Sequence, residues 1–351
     1  MFTSKEGEIA ALLDLSARLG SDSLLVQAST GNTSIKLDGV LWIKASGKWL
    51  ADAKREEILV PVPLPDVKRH LREGNDFLPA YRGESGKLLR SSVETTMHAV
   101  LPYRVVVHVH SISTIAWAVR CDGPVQLKER LAGLNWQWIP YVASGLPLAL
   151  EIEKRLFFFP SANVFVLANH GLVVCGDSSD SCEALLREIE RRLAVAPRDT
   201  PNPDYDFLAN IAAHSRWRIP TNRIFHALGT DPICQKLHAG GVLYPCQAMF
   251  LQSERTSFSS KTEPHELPRQ NGNDDAPPFL VVERCGVLVS HGISRAERAI
   301  LKAYVQILQR LDNSVPVRYL TEYEIDAAMR FGSNRYRTFS EANQTGTAIS
   351  A

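Results

Sequence analysis

The stretch SSVETTMHAVLPYRVVVHVHS, residues 91–111, decides how the chain is read. Thr95–Leu101 has the pattern of a short helix, Tyr103–Val109 is a valine-rich run that reads as a buried strand, and Ser111–Val119 reads as a second helix. Helix, strand, helix implies a layered α/β domain. Alternate side chains of a strand share a face, so His108 and His110 point one way and Val107 and Val109 the other. Two imidazoles so placed can converge on one ion, or can simply face a polar crevice.

Further along, the run Asn169-His170-Gly171 follows an apolar strand, where a histidine at the strand end can face an open cleft. Three neutral histidines with a fourth position left open form a catalytic zinc arrangement, whereas a structural site is closed by a fourth ligand. Glu94 begins a helix. It is either a carboxylate complementing the helix dipole behind a Ser92 cap, or a base beside a divalent ion. His98, four residues on, shares that helical face and is placed to orient Glu94. The turns GNTS (31–34) and ASG (45–47), with Lys36, Lys44 and Lys48 nearby, have the small residues and amides of an anion-binding concavity, although most such turns bind nothing.

The rest of the chain sets the frame. Lys plus Arg number 39 and Asp plus Glu 38 in 351 residues, with no basic cluster, which argues against a nucleic-acid partner. The N-terminal segment is interrupted by Lys5, Glu6, Glu8, Asp14 and Arg18, so it reads as an amphipathic helix and not as a signal peptide. No apolar run reaches the roughly 18 residues of a membrane span. Six cysteines without a CxxC pair fit a reducing cytoplasm. Asp38-Gly39 marks a hairpin after an alternating LLVQAST. A strand is expected within FFFPSANVFVLANH and a helix over Ser179–Leu193. Three prolines in AVAPRDTPNPDYD then separate residues 1–195 from 207–337, with 196–206 as linker and 338–351 as a flexible tail. In the second part a helix is expected near 207–214, strands at GGVLYP and AMFLQ, and a surface loop over 253–278. The segment from Pro278 echoes the segment around Gly171 when Gly171 is set on Gly286, which places Cys285 where His170 stands.

With these pieces in order, GN-x-S, SG, S-x-E-x-x-x-H, H-x-H and N-H-G, the chain resembles the class II aldolase/adducin family over roughly residues 5–195. The resemblance implies a three-layer α/β/α fold around a mixed, largely antiparallel sheet, here with a smaller α+β C-terminal extension. It implies Zn²⁺, with Mn²⁺ or Co²⁺ as alternatives, held by His108, His110 and His170, and Glu94 as acid/base. It places Gly31, Asn32, Ser46, Gly47 and Ser92 around a substrate phosphate. Tyr141, four residues before Gly145, corresponds to the tyrosine that protonates the departing aldehyde's oxygen. It also implies a cytoplasmic homo-oligomer, a tetramer, acting on a small molecule.

The expected reaction is retro-aldol cleavage of a ketose phosphate or related hydroxy-keto acid through a zinc-stabilised enediolate. A pentulose-phosphate 4-epimerase is the nearest alternative, although such enzymes tend to carry Asp in place of Glu94. A keto-acid-phosphate decarboxylase would use the same ion. A non-catalytic adducin-like module would have shed its ligands, yet all three histidines and Glu94 stand. Val93 replaces the middle serine of the usual Ser-Ser-Glu, which removes a hydroxyl from the phosphate site.

Overall fold

The computed structural model describes residues 4–213, 215–251, 256–259 and 277–330. Asp38 and Gly39 both take positive φ, 49° and 77°, and close a two-residue hairpin between β1 (Asn32–Leu37) and β2 (Val40–Lys44). These strands join β3 (Leu59–Pro63), while β4 (Ala80–Arg82) and β5 (Leu88–Arg90) form a separate ribbon. With β6 (Val105–Val109), β7 (Trp136–Ile139), β8 (Val164–Leu167) and β9 (Gly171–Gly176), the main sheet has seven strands in the order β3-β2-β1-β6-β9-β8-β7. Only β7 and β8 run parallel, so the sheet is mixed and largely antiparallel, as expected.

Strand β6 shows why the layers form. Val105, Val107 and Val109 pack against Leu12 and Leu15 of helix Lys5–Ser21 and Leu186 and Ile189 of helix Ser179–Leu193. Val106 faces the other way, onto Met97 of helix Thr95–Val100 and Leu148 and Ile152 of helix Leu146–Phe158. A strand buried on both faces reads as a continuous valine run, and the result is an α/β/α sandwich.

The extension is α+β. Its strands β10 (Trp217–Arg218), β11 (Ser257–Phe258), β12 (Phe279–Val282) and β13 (Gly286–Ser290) lie in the order β10-β13-β12-β11, followed by helix Arg295–Leu308. Between helix Ser179–Leu193 and helix Tyr205–Ala212 the chain has neither helix nor strand. The extension is nevertheless joined to the first layer system. Ile300, Leu301 and Tyr304 share one apolar core with Ile112, Ile115 and Ala116 of helix Ile112–Ala118. Arg318 N donates to Val119 O at 2.7 Å and Cys121 N to Pro316 O at 2.9 Å.

Several local expectations differ from the structure. AMFLQ is not a strand: Pro245–Leu251 is a helix that opens on proline, and a five-residue apolar run cannot distinguish the two by period. GGVLYP has no strand, and LLVQAST is a series of turns. In FFFPSANVFVLANH only Val164–Leu167 is strand, because Phe157 and Phe158 end a helix. The loop expected over 253–278 lies outside the described residues except at 256–259 and 277–278, and the tail 338–351 lies wholly outside them.

The echo between the two parts holds in three dimensions. Leu167 pairs with Gly171 and Val164 with Val174; Val282 pairs with Gly286 and Phe279 with Val289. Asn169 and Arg284 occupy the same turn position, both with positive φ (52° and 64°). Each hairpin leads into a helix closed by a serine capping box, at Ser178 and at Ser294.

Because one core spans both parts, chemical denaturation should show a single transition, and Ile300→Ala should cost about 2–5 kcal/mol. Two separable transitions, with only one moved by the substitution, would mean that the extension folds by itself.

Candidate metal centre

Antiparallel pairing sets Asn32 of β1 opposite His108 of β6, and His108 opposite Val173 of β9. The turn before β9 brings in His170. The nitrogens of His108, His110 and His170 lie within 4.8 Å of one another, and all three residues are buried. His108 Nδ1 donates to Leu172 O at 3.0 Å, so its Nε2 carries the lone pair. That nitrogen stands 3.1 Å from His110 Nε2. A tetrahedral ion held at 2.0–2.1 Å by each nitrogen would set ligand atoms about 3.3 Å apart, so this pair already has a ligating spacing. Burial pushes His170 down to about 4 and His110 further below its ordinary value, which leaves both imidazoles neutral, the form that binds metal. The donor set therefore fits a divalent ion with His108, His110 and His170 as ligands.

Glycine makes the convergence possible at two places. A Cβ on Gly171 would lie 2.6 Å from Val109 O and 3.3 Å from both His108 Cε1 and His110 Cδ2. A Cβ on Gly31, whose φ is +63°, would lie 2.8 Å from His108 O.

Glu94 sits beside the trio, its Oε2 3.5 Å from His108 Nε2 and its Oε1 3.4 Å from His170 Nε2. Burial acts to raise its pKa, but the adjacent imidazoles, which become cations as the pH falls, and a hydrogen bond from Asn32 outweigh burial and hold the carboxyl well below the usual carboxylate range. Asn32 Nδ2 donates to Glu94 Oε2 at 2.7 Å and to Ser92 Oγ at 3.1 Å, and Ser144 Oγ donates to Glu94 Oε1 at 3.4 Å. His98 does not touch Glu94 by hydrogen bond. Its Nε2 bonds the Asn32 carbonyl oxygen, and its Nδ1 accepts from Ser34 Oγ at 2.7 Å. Burial drives the His98 pKa down to about 3, so the ring is neutral and has one donor, which must serve Asn32 Oδ1. The ring thereby fixes which way the Asn32 amide faces, and through it the position of the carboxylate.

Gly31, Asn32, Glu94, His110, Tyr141 and His170 line one pocket. Tyr141 has Arg318 over its ring at 5.3 Å, and burial pushes its phenol up to about 12, so it keeps its proton. Ser92 lies behind Asn32 and also accepts from Glu94 N at 3.2 Å. Ser46 and Gly47 do not reach the pocket wall. They follow the bridge of Ala45 to Ser91, where Ser46 Oγ donates to Ser91 O at 3.2 Å. The lysines near the turns are occupied: Lys36 Nζ donates to Leu101 O and Tyr103 O, Lys44 Nζ to Ser29 O, and Lys48 pairs with Glu56.

Two contacts across to the extension had no signal in the sequence, although Asn169 itself belongs to the N-H-G run. Asn169 joins the extension, its amide donating to Leu243 O and Arg318 O at 2.8 Å each. Cys246 Sγ, from the extension, lies 3.3 Å from His110 Nδ1. As a weak acceptor for the Nδ1–H, the thiol fits the tautomer that leaves the Nε2 lone pair for an ion. No short motif signals Cys246, because the contact joins residues far apart in the chain.

The Class II Aldolase and Adducin N-terminal domain family matches residues 10–196, more than half of the chain, and the chain belongs to that family. It is 31% identical over 180 residues to the uncharacterized oxidoreductase YuxG of Bacillus subtilis (strain 168), a match that covers 47% of this chain and 26% of the relative. The chain thus matches about a quarter of that curated protein's length. Among solved structures it is similar to the N-terminal class II aldolase domain of a conserved protein from Thermoplasma acidophilum, with 24% identity, TM-score 0.44, and coverage of 55% of this chain and 93% of that one. It is also similar to l-fuculose-1-phosphate aldolase from Thermus thermophilus, with 21% identity, TM-score 0.37, and coverage of 53% and 91%.

Cys246→Ala should lower zinc affinity by about 10–100-fold in competition with a chromophoric chelator, and Cys246→Ser should restore most of it. Unchanged affinity in the alanine variant would remove Cys246 from the support of His110.

Proposed function

We propose that the chain is a divalent-metal-dependent carbon–carbon lyase that cleaves a ketose phosphate or related hydroxy-keto acid. The observation that carries this reading is a buried Glu94 carboxyl placed 3.4–3.5 Å from two nitrogens of a three-histidine cluster, at the wall of an open pocket. A divalent ion bound by His108, His110 and His170 would supply Lewis acidity toward the substrate's oxygens. Glu94, held ionised, takes and returns the proton at the substrate carbon. Tyr141, held protonated, is the acid toward the aldehyde oxygen in the reverse, condensing direction. In cleavage the substrate hydroxyl at that position gives up its proton, and Glu94 returns one to the carbanion carbon. Asn32, locked by His98, keeps the carboxylate in place between turnovers.

Of the five residues expected around the substrate's anionic group, Gly31 and Asn32 are assigned to it, while Ser92 stands behind Asn32 and Ser46 and Gly47 lie off the pocket wall. Amides and hydroxyls would have to hold it without lysine, since the nearby lysines are spent on protein acceptors. Val93 faces the same pocket and offers no hydrogen bond. That favours the smaller charge of a carboxylate over a phosphate. Residues 1–195 are assigned as the catalytic domain and 207–337 as the C-terminal α+β extension, from which Met249 and Phe250 line the cleft. Zinc is the assigned ion, with Mn²⁺ or Co²⁺ able to replace it. The chain is assigned to the cytoplasm, in keeping with cysteines that are all free; no helix among the described residues is long and apolar enough to cross a membrane. A homotetramer is assigned, supported by three consecutive exposed phenylalanines, Phe157, Phe158 and Phe159, that a partner would cover.

Incubated with ketose 1-phosphates and with hydroxy-keto acids, the zinc-loaded protein should release triose phosphate or pyruvate. Glu94→Gln should retain the ion but slow cleavage by about 10²–10⁴-fold. Full activity in that variant rejects the mechanism, and carbon dioxide as the sole product replaces the lyase with a decarboxylase.

A further inference from the structure

We propose that the chain carries a second small-molecule site, for a phosphorylated polyol, in the cavity between helix Arg295–Leu308 and the segment that leads into the metal-centre pocket. The cavity measures about 320 Å³, the size of a small metabolite site. Arg295, Arg298 and Lys302 stand at i, i+3 and i+7 on the helix face that lines it. No Asp or Glu lines the cavity, and among the described residues none of the three cations is in an ion pair. Three like charges on one helix face repel one another, and a bound dianion turns that repulsion into attraction.

The uncharged wall narrows the ligand further. Arg295 lies over the Trp49 ring at 4.0 Å, which fixes its guanidinium at the cavity edge. Gln306 also lines the cavity, and its buried side-chain oxygen has no hydrogen-bond partner. A hydroxyl can donate or accept, so it meets that amide in either orientation. A phosphate monoester supplies up to two negative charges and three acceptor oxygens for the cations, and a polyol supplies the hydroxyl.

The cavity also connects to the metal centre. Gln27 lines it, and Gln27 Nε2 donates to Ser23 O at 3.0 Å and to His110 O at 3.3 Å. Three residues later the same segment becomes Thr30, Gly31 and Asn32 of the other pocket. An occupant against Gln27 therefore presses on the residue that holds the His110 backbone.

Glucose 6-phosphate, an aldose ester, is the probe, titrated calorimetrically into the zinc-loaded full chain, with glucose and inorganic phosphate alongside. Glucose 6-phosphate should bind and glucose should not. Inorganic phosphate, which lacks the polyol whose hydroxyls would reach Gln306, should bind about tenfold more weakly. Arg298→Ala/Lys302→Ala removes two solvent-reaching side chains and should weaken glucose 6-phosphate binding at least about tenfold, while His170→Ala should leave it within about twofold. No binding by the wild-type chain, equal binding of glucose or of inorganic phosphate, retention in the double variant, or loss in His170→Ala would each overturn the proposal.

Discussion

The register of β1 on β6 is the constraint from which the centre follows. Asn32 pairs with His108 and Ser34 with Val106, so the two-residue period puts Asn32 and Ser34 on one face with His98 over both. That face also presents His108 toward Glu94. A slip of one residue would move Asn32 to the opposite layer and leave the carboxylate without its amide. A buried charge stripped of a partner is costly, of the order of 3–5 kcal/mol, so the hydrogen-bond chain from Ser34 through His98 and Asn32 to Glu94 also resists that slip. Here the sheet fixes the chemistry, and the chemistry in return penalises the wrong sheet.

The extension completes what the sandwich begins. Asn169, His170 and Gly171 divide three tasks among neighbours. Asn169 fastens Leu243 and Arg318, His170 faces the ligand cluster, and Gly171 leaves room for His108 and His110. The left-handed φ of Asn169, 52°, is a conformation that asparagine tolerates better than most residues, and it turns the chain so that consecutive side chains serve opposite sides. Fastened there, the helix Pro245–Leu251 brings Cys246 to the far nitrogen of His110.

The layered fold, the hairpin at Asp38-Gly39 and the convergence of three histidines on Glu94 were legible in the sequence, because each depends on local period or on a residue type with narrow uses. His98 was legible as a neighbour of Glu94 but not as a partner of Asn32. Helical spacing shows which residues share a face, while the bond to Asn32 crosses from helix to strand. AMFLQ misled because its apolar residues fit either period, and the helix that contains Ala248–Leu251 opens three residues earlier, on Pro245. The turn pattern offers Lys44 as an anion holder, and the structure does not. Lys44 is buried and satisfied by Ser29 O, and desolvation pushes its pKa down to about 7, a cost that no turn motif reveals.

The pocket is divided by origin. The sandwich contributes its polar groups, Glu94, His110, His170 and Ser144, while the extension contributes Met249 and Phe250. An apolar cover over a charged floor excludes water from the carboxylate and strengthens each of its electrostatic contacts. It also keeps bulk solvent from the buried Glu94 carboxyl. Val93, which costs the site a hydroxyl, adds to the apolar part of the pocket wall.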